Sequence, residues 1–531
     1  MSKQPAQGSK REQWSGQYGF LLAAIGSAVG LGNIWRFPGV AYTNGGGAFL
    51  LPYLFSLVLV GIPVLLFDYA MGHRYRGSAP TVYRRVKRSS EWIGWFQVLV
   101  SFVIMSYYAV VIAWAGSYAW FSFKLAWGKD AAGFFFGKYL HIAEAPGISA
   151  SPVWQVLVPL VAVWGIALFI IGRGVVSGLE KANKVFLPVL VILFGALVVR
   201  ALFLPGAVQG LTAFFTPNWS ALADPNVWMA AFAQIFYSLS IGFGIMLTYA
   251  SYLKRRSNLG GTGLVAAFAN SSFEILAGVG VFAALGFMAH QQGVGVGDLE
   301  GIAGVGLSFV TFPTIIAMMP AGALFGVLFF SSLFLAGLTS LVSLIQVVAA
   351  ALQEKFGLNN VKAAFTAGLP AALLSVTLFA TTTGLYSLDI VDKHINEIGI
   401  VFIAIVAMVY MSFFARKLPE LRMSINVVSS VSIGRWWPVL VGGLIPAVLA
   451  YMLSSTLWGL ITEAYEGYPW WMLGTLGFGC IAFAFVLTAV FANLPWRNDV
   501  DSYKPLDLPG TVPPRPNGKN GTLTAATSKE N

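Results

Sequence analysis

The chain has 531 residues, of which 57% are hydrophobic and only 10% charged, with a mean hydropathy of +0.74. A soluble globular protein is excluded by that balance, and the composition places the chain in a lipid bilayer. The net charge of +11 would suit a nucleic-acid ligand if it formed one basic patch, so its distribution along the chain decides its meaning.

Residues 1–15 are polar and read as a segment outside the membrane. No short apolar region with a small-residue cleavage site precedes the first apolar stretch, so no cleaved signal is expected. Twelve stretches long enough to span then follow, at about 16–38, 48–71, 93–123, 153–171, 184–203, 227–252, 263–289, 320–353, 364–381, 396–415, 436–459 and 470–493. Lipid offers the backbone no hydrogen-bond partner, and stretches of this length are too long for barrel strands, so an all-α integral membrane protein is expected. From 495 to 531 the chain is polar and rich in Pro, Gly, Ser and Thr, which predicts a disordered tail.

If the first span exits outward, all Lys and Arg except Arg36, Lys124, Lys129, Lys138, Arg200 and Lys393 fall on one side of the membrane. By the positive-inside rule that side is cytoplasmic and holds both termini. The basic run RRVKR at 84–88 then belongs to a cytoplasmic loop, and no nucleic-acid partner is expected. The one cysteine, Cys480, lies within a predicted span, which excludes an intrachain disulfide.

No GxxxxGK[ST] loop is present to cradle ATP phosphates, and no HExxH or Cys/His cluster to hold a catalytic metal; His73, His141, His290 and His394 scatter to loops or span ends. The reading is therefore against an enzyme. The first span carries GSAVGLGNIWRFP at 26–38. Helix packing through small residues would account for its glycines alone. Asn33 and Arg36, however, need polar surroundings, Pro38 ends the span, and a second interrupted stretch, SLSIGFG at 238–244, lies in span 6. Two glycine-interrupted spans at matching places in two halves of five mark a transporter with inverted repeats, whose unwound backbone binds ions and substrate.

At these residues the chain resembles the neurotransmitter:sodium symporter family, which includes a bacterial leucine transporter. The resemblance extends through RExW at 11–14, NGGGAFLLPY at 44–53, GIPVLLFDYAMG at 61–72, SYY at 106–108, QIFYSLSIGFG at 234–244, TYASY at 248–252, FVTFP at 309–313, AGLTS at 336–340 and LDIVD at 388–392. It implies twelve helices: inverted repeats over about 16–203 and 227–415, and two peripheral helices over about 436–493. It also implies two sodium ions, hard cations that favour oxygen ligands. One would be held by Ala28, Asn33, Ser238, Asn270 and the substrate carboxylate, the other by Gly26, Val29, Ala336, Thr339 and Ser340.

The substrate site implied by the resemblance comprises Ser27, Ala28, Leu31, Gly32, Ile104, Tyr108, Tyr237, Ser238, Ser240, Phe243, Ser340 and Leu344. Monoamine carriers of the family have an aspartate at position 30; here it is Gly30, which favours a neutral, hydrophobic or aromatic amino acid over an amine. A carrier of glycine, GABA or another small zwitterion stays open, as does a membrane sensor that binds without translocating; a sodium channel is a further alternative. Arg36 with Asp392 would gate the outer side. Arg11 with Glu354, supported by Trp14 and Tyr252, would gate the inner side. Glu274 stands where chloride-dependent relatives have serine, which implies chloride-independent transport. Asp68 replaces the family's usual glutamate, is a methylene shorter, and is read as structural. The short third loop without cysteines suits a prokaryotic plasma membrane, with the protein a monomer or homodimer among lipids.

Overall fold

The computed structural model describes residues 12–299, 301–302 and 304–503. Among them all regular secondary structure is helical, apart from two isolated bridges, Gly46 with Pro217 and Pro152 with Thr381. The first half contains α1 (Gln17–Ala28), α2 (Leu31–Thr43), α3 (Gly47–Tyr75), α4 (Ala79–Val86), α5 (Arg88–Lys124), α6 (Trp154–Gly172), α7 (Val175–Leu202) and α8 (Ala207–Phe215). The second half has α9 (Pro225–Ser238), α10 (Ile245–Ser251), α11 (Leu259–Gln292), α12 (Gly304–Met318), α13 (Gly322–Phe356), α14 (Asn360–Phe379), α15 (Gly384–Phe414) and α16 (Leu418–Val428). Two further helices close the chain, α17 (Trp436–Gly467) and α18 (Trp470–Asn493).

Ten continuous helices are long and apolar enough to cross a membrane among the described residues, or eleven when α1 and α2 are taken as one span bent by 50°. Over the expected sixth span, 227–252, the chain forms α9 and α10, each too short to cross alone. Large apolar side chains stand exposed on the outside, including Trp120, Phe203, Phe414 and Trp458, as a lipid-facing surface requires. Inside, one continuous apolar core runs through the bundle, with α5 and α13 packed along their length.

Local chemistry sets the breaks. α1 stops where Val29 and Gly30 turn extended, and α2 restarts because the Asn33 side chain accepts the Gly30 N–H at 2.9 Å, an asparagine serving as its own helix start. α9 stops at Ser238, and residues 239–244 contain three positive φ values: Ser240 at 53°, Gly242 at 88° and Gly244 at 89°. Glycine adopts that region freely and serine does not, so Ser240 is held there by its surroundings: its hydroxyl donates to the Ser27 carbonyl at 3.1 Å. The two breaks are thus bonded to each other.

Other helix ends follow ordinary rules. Asp224, Asn258 and Asn359 cap α9, α11 and α14 through their side chains. Gly293 and Gly357, at φ 70° and 66°, close α11 and α13. Span 10 starts earlier than the sequence reading expects, at Gly384 rather than near 396, so LDIVD lies within a helix.

Candidate functional site

The breaks at 29–30 and 239–244 flank a cavity of about 440 Å³. All twelve residues expected to hold substrate line it: Ser27, Ala28, Leu31, Gly32, Ile104, Tyr108, Tyr237, Ser238, Ser240, Phe243, Ser340 and Leu344. At its floor the Leu31 N–H donates to the Tyr108 hydroxyl at 3.2 Å, and the Ser340 hydroxyl reaches the Ser27 carbonyl at 3.2 Å. A Cβ on Gly30 would lie 2.8 Å from Ser340 Oγ and 3.1 Å from Tyr108 Oη, so a side chain there would have to displace these hydroxyls. The wall contributed by α15 was not foreseen beyond Asp392; it adds Leu388, Asp389, Lys393, Asn396, Glu397 and Ile400, with Tyr465 beside them. The charges in LDIVDKH were the signal that could have found it.

The residues expected around the first ion converge behind the floor. Asn33 Nδ2 donates to Asn270 Oδ1 at 2.8 Å, and Asn270 Nδ2 to Ser238 Oγ at 3.1 Å, with both asparagines buried. One hydrogen-bond chain therefore links the two broken segments to α11. In the second set, the hydroxyls of Thr339 and Ser340 donate back to the Ala336 carbonyl at 2.9 and 3.2 Å. Back-bonding occupies the proton of each hydroxyl and leaves its lone pairs for a cation. Gly26 faces Thr339, whose Cβ is 3.8 Å from where a Gly26 Cβ would stand.

Glu274 is fully buried one helical turn beyond Asn270. Its carboxylate takes the hydroxyl of Tyr53 and, at 2.6 Å, Nε2 of Gln234, a donor set suited to a resident anion. Asp68, a methylene shorter than the family's usual glutamate, accepts the Gly242 N–H at its Oδ2 at 3.1 Å. With Gln97 Nε2 on the Gly242 carbonyl at 3.0 Å and Ser101 Oγ on the Phe243 carbonyl at 2.9 Å, side chains of α3 and α5 bond three backbone groups of the second break. Such partners stand in for the helix bonds that buried backbone gives up at membrane depth.

Arg36 and Asp392 both line the cavity but do not meet across it. The Arg36 guanidinium lies over the Tyr237 ring, 4.5 Å from its centroid, and Asp392 accepts from Asn396 Nδ2 at 2.7 Å. At the other end Trp14 is buried, its indole donating to the Tyr249 carbonyl at 2.9 Å and its backbone N–H to the Tyr252 carbonyl at 3.1 Å. Gln346 Nε2 donates to the Tyr252 hydroxyl at 2.9 Å. Glu354 accepts from the backbone and hydroxyl of Ser78 at 2.8 and 2.7 Å. Arg11, its expected partner, lies outside the described residues.

Beside Glu354 lies a buried ion pair that sequence reasoning did not find. Lys355 Nζ meets Glu91 at 2.7 Å, and the same carboxylate takes Arg84, Trp95 and Trp496, each at 2.9 Å. Residues 495–503, the start of the expected tail, lie against this cluster. The Arg497 N–H donates to the Lys355 carbonyl at 2.9 Å, Asn498 Nδ2 to the Glu354 carbonyl at 3.0 Å, and Asp501 pairs with Arg84 and Arg88.

A family model described as the sodium:neurotransmitter symporter family matches residues 11–132 and 128–498. An uncharacterised sodium-dependent transporter of Methanocaldococcus jannaschii is 39% identical over 488 residues, covering 91% of this chain and 98% of that protein. A sodium- and chloride-dependent GABA transporter 2 of Bos taurus is 30% identical, covering 87% and 83% of the two chains. A sodium-dependent dopamine transporter of the same animal is 31% identical over 77% of this chain and 64% of its own length.

Proposed function

The chain belongs to the sodium:neurotransmitter symporter family, and on that premise we propose that it imports a neutral, hydrophobic or aromatic amino acid with sodium by alternating access and without chloride. It is a multi-pass membrane transporter rather than an enzyme, and sodium is its coupling ion. The finer reading has twelve helices, two sodium ions, both termini in the cytoplasm and residence in the plasma membrane as a monomer or homodimer.

The observation that carries the substrate class is the cavity floor. Gly30 leaves no acidic group there for an amine, and the Leu31 N–H and Tyr108 hydroxyl stand together where a carboxylate would accept from both. That carboxylate would also complete the shell of the first ion around Asn33, Ser238 and Asn270. Ion and substrate then raise each other's affinity by the same factor, which couples uptake to the sodium gradient. Ile104, Tyr237, Phe243 and Leu344 supply the apolar contacts of an ordinary small-molecule pocket. Closure above the substrate would take Arg36 off the Tyr237 ring and onto Asp392, and opening at the far end would release Trp14.

Thermal stabilisation by each amino acid and GABA, in sodium and then in potassium, tests this reading, since a ligand of the native state raises its apparent stability. A shift from hydrophobic or aromatic amino acids only in sodium is the expected result. A sodium-dependent shift from GABA or glycine instead would give the site to a small zwitterion, a reading the bovine GABA relative favours. Uptake into proteoliposomes then separates a carrier from a sensor. Replacing chloride by gluconate is expected to leave uptake unchanged, and Glu274→Ser to make it require chloride.

A further inference from the structure

α7 packs on α1 through two glycines seven residues apart. A Cβ on Gly19 would stand 2.2 Å from Glu180 Oε1, and one on Gly26 would stand 2.2 Å from Asn183 Oδ1. The two polar groups on α7 are satisfied very differently. Glu180 accepts from the Ser15 backbone at 3.0 Å, from the Ser15 hydroxyl, and from Lys184 at 2.6 Å. Asn183 is fully buried; its Nδ2 donates to the Leu179 carbonyl at 2.9 Å, while its Oδ1 has no partner among the described residues. The Leu179 carbonyl can only accept, so the amide cannot be turned round, and the free oxygen faces Gly26.

A buried acceptor without a donor is costly, and native proteins leave few of them. The point where a Gly26 Cβ would stand, 2.2 Å from this oxygen, lies 3.8 Å from Thr339 Cβ. Asn183 on α7 thus comes close to Gly26 on α1 and, beyond it, to Thr339 on α13, both members of the second ion set. An amide oxygen is a hard, uncharged ligand of the kind sodium takes. Packing alone would be met by an apolar side chain of similar size, without an unpaired oxygen.

We infer that Asn183 belongs to the second sodium site and gives it an oxygen from α7, directly or through one water. The inference rests on the proposed assignment of Gly26, Val29, Ala336, Thr339 and Ser340 to that ion.

The test is a sodium titration of thermal stability in the purified full-length protein, with potassium holding the ionic strength constant. Asn183→Leu is expected to raise the half-saturating sodium concentration about tenfold, the lower end of losses seen for residues supporting a metal site. Asn183→Asp, which keeps an oxygen, is expected to hold it at or below the wild-type value. A titration unchanged in Asn183→Leu, with a lower melting temperature in potassium alone, makes Asn183 a packing residue and overturns the proposal. Should the leucine variant not fold, Asn183→Ala against Asn183→Asp gives the same decision. Thr339→Val serves as the control: if it too leaves the titration unchanged, the site assignment itself has failed and the proposal with it.

Discussion

The two ends of the cavity axis are built from the same kinds of side chain and bonded in opposite ways. At the end walled by α15, two ionic groups are held within the helix, Asp392 by Asn396 four residues on and Lys393 by Glu397 four residues on at 2.8 Å, while Asp389 takes the hydroxyls of Tyr465 and Tyr468 at 3.2 and 3.0 Å. At the end under Trp14, partners also come from distant parts of the chain, and Glu91 alone joins α4, α5, α13 and the segment after α18. A partner on the same helix moves with it, whereas Glu91 ties four elements together.

Removing one charge from the sealed end should have the largest effect. Lys355→Met leaves the buried Glu91 only Arg84 as a cation and is expected to destabilise by about 3 kcal/mol, the lower end for a broken buried pair, whereas adding Glu91→Gln in the same chain should recover most of the loss; melting of the purified protein measures both. Tyr252→Phe takes the acceptor from Gln346 Nε2 and should cost about 1–3 kcal/mol. In the same variant a cysteine placed at Ser343, which accepts from the buried Tyr249 hydroxyl at 2.6 Å, should be labelled faster from the Trp14 side. At the α15 end Asp392→Asn should change melting by no more than about 1 kcal/mol, the net worth of one hydrogen bond, while abolishing uptake. A large loss of stability there would erase the contrast between the two ends.

The smallest effect concerns pH. The Arg84 guanidinium beside Asp501, with Arg88 behind it, holds that carboxyl below the usual carboxylate range. A depressed folded value means that this contribution is complete above the ordinary carboxylate pKa of about 3.9 and fades only as pH falls through the lower folded value. Hydrogen exchange of residues 495–503 should therefore show the same protection at pH 8 and pH 5, and Asp501→Asn should reduce it at both.

The site was more legible than the sealed end, for a physical reason. Interrupted helices announce themselves locally, because glycine, asparagine and proline inside an apolar span have few other uses, and GSAVGLGNIWRFP with SLSIGFG located both walls of the cavity. Lys355, Glu91 and Trp496 carry no such signal. They are brought together across 264 and 405 residues of chain, and Trp496 sits in a polar stretch whose composition reads as tail. The α15 wall fell between these cases: Asp389, Asp392 and Lys393 lowered the local hydropathy enough to delay the predicted start of the span, although each faces a cavity rather than lipid.

Gly30 limits how this protein could change its cargo. A carboxylate introduced there to receive an amine would need the space held by Ser340 Oγ and Tyr108 Oη. Both groups also support the floor through Ser27 and Leu31. An acid at that position therefore comes with a shift of the serine and tyrosine hydroxyls, and with them of the bonds that hold the floor.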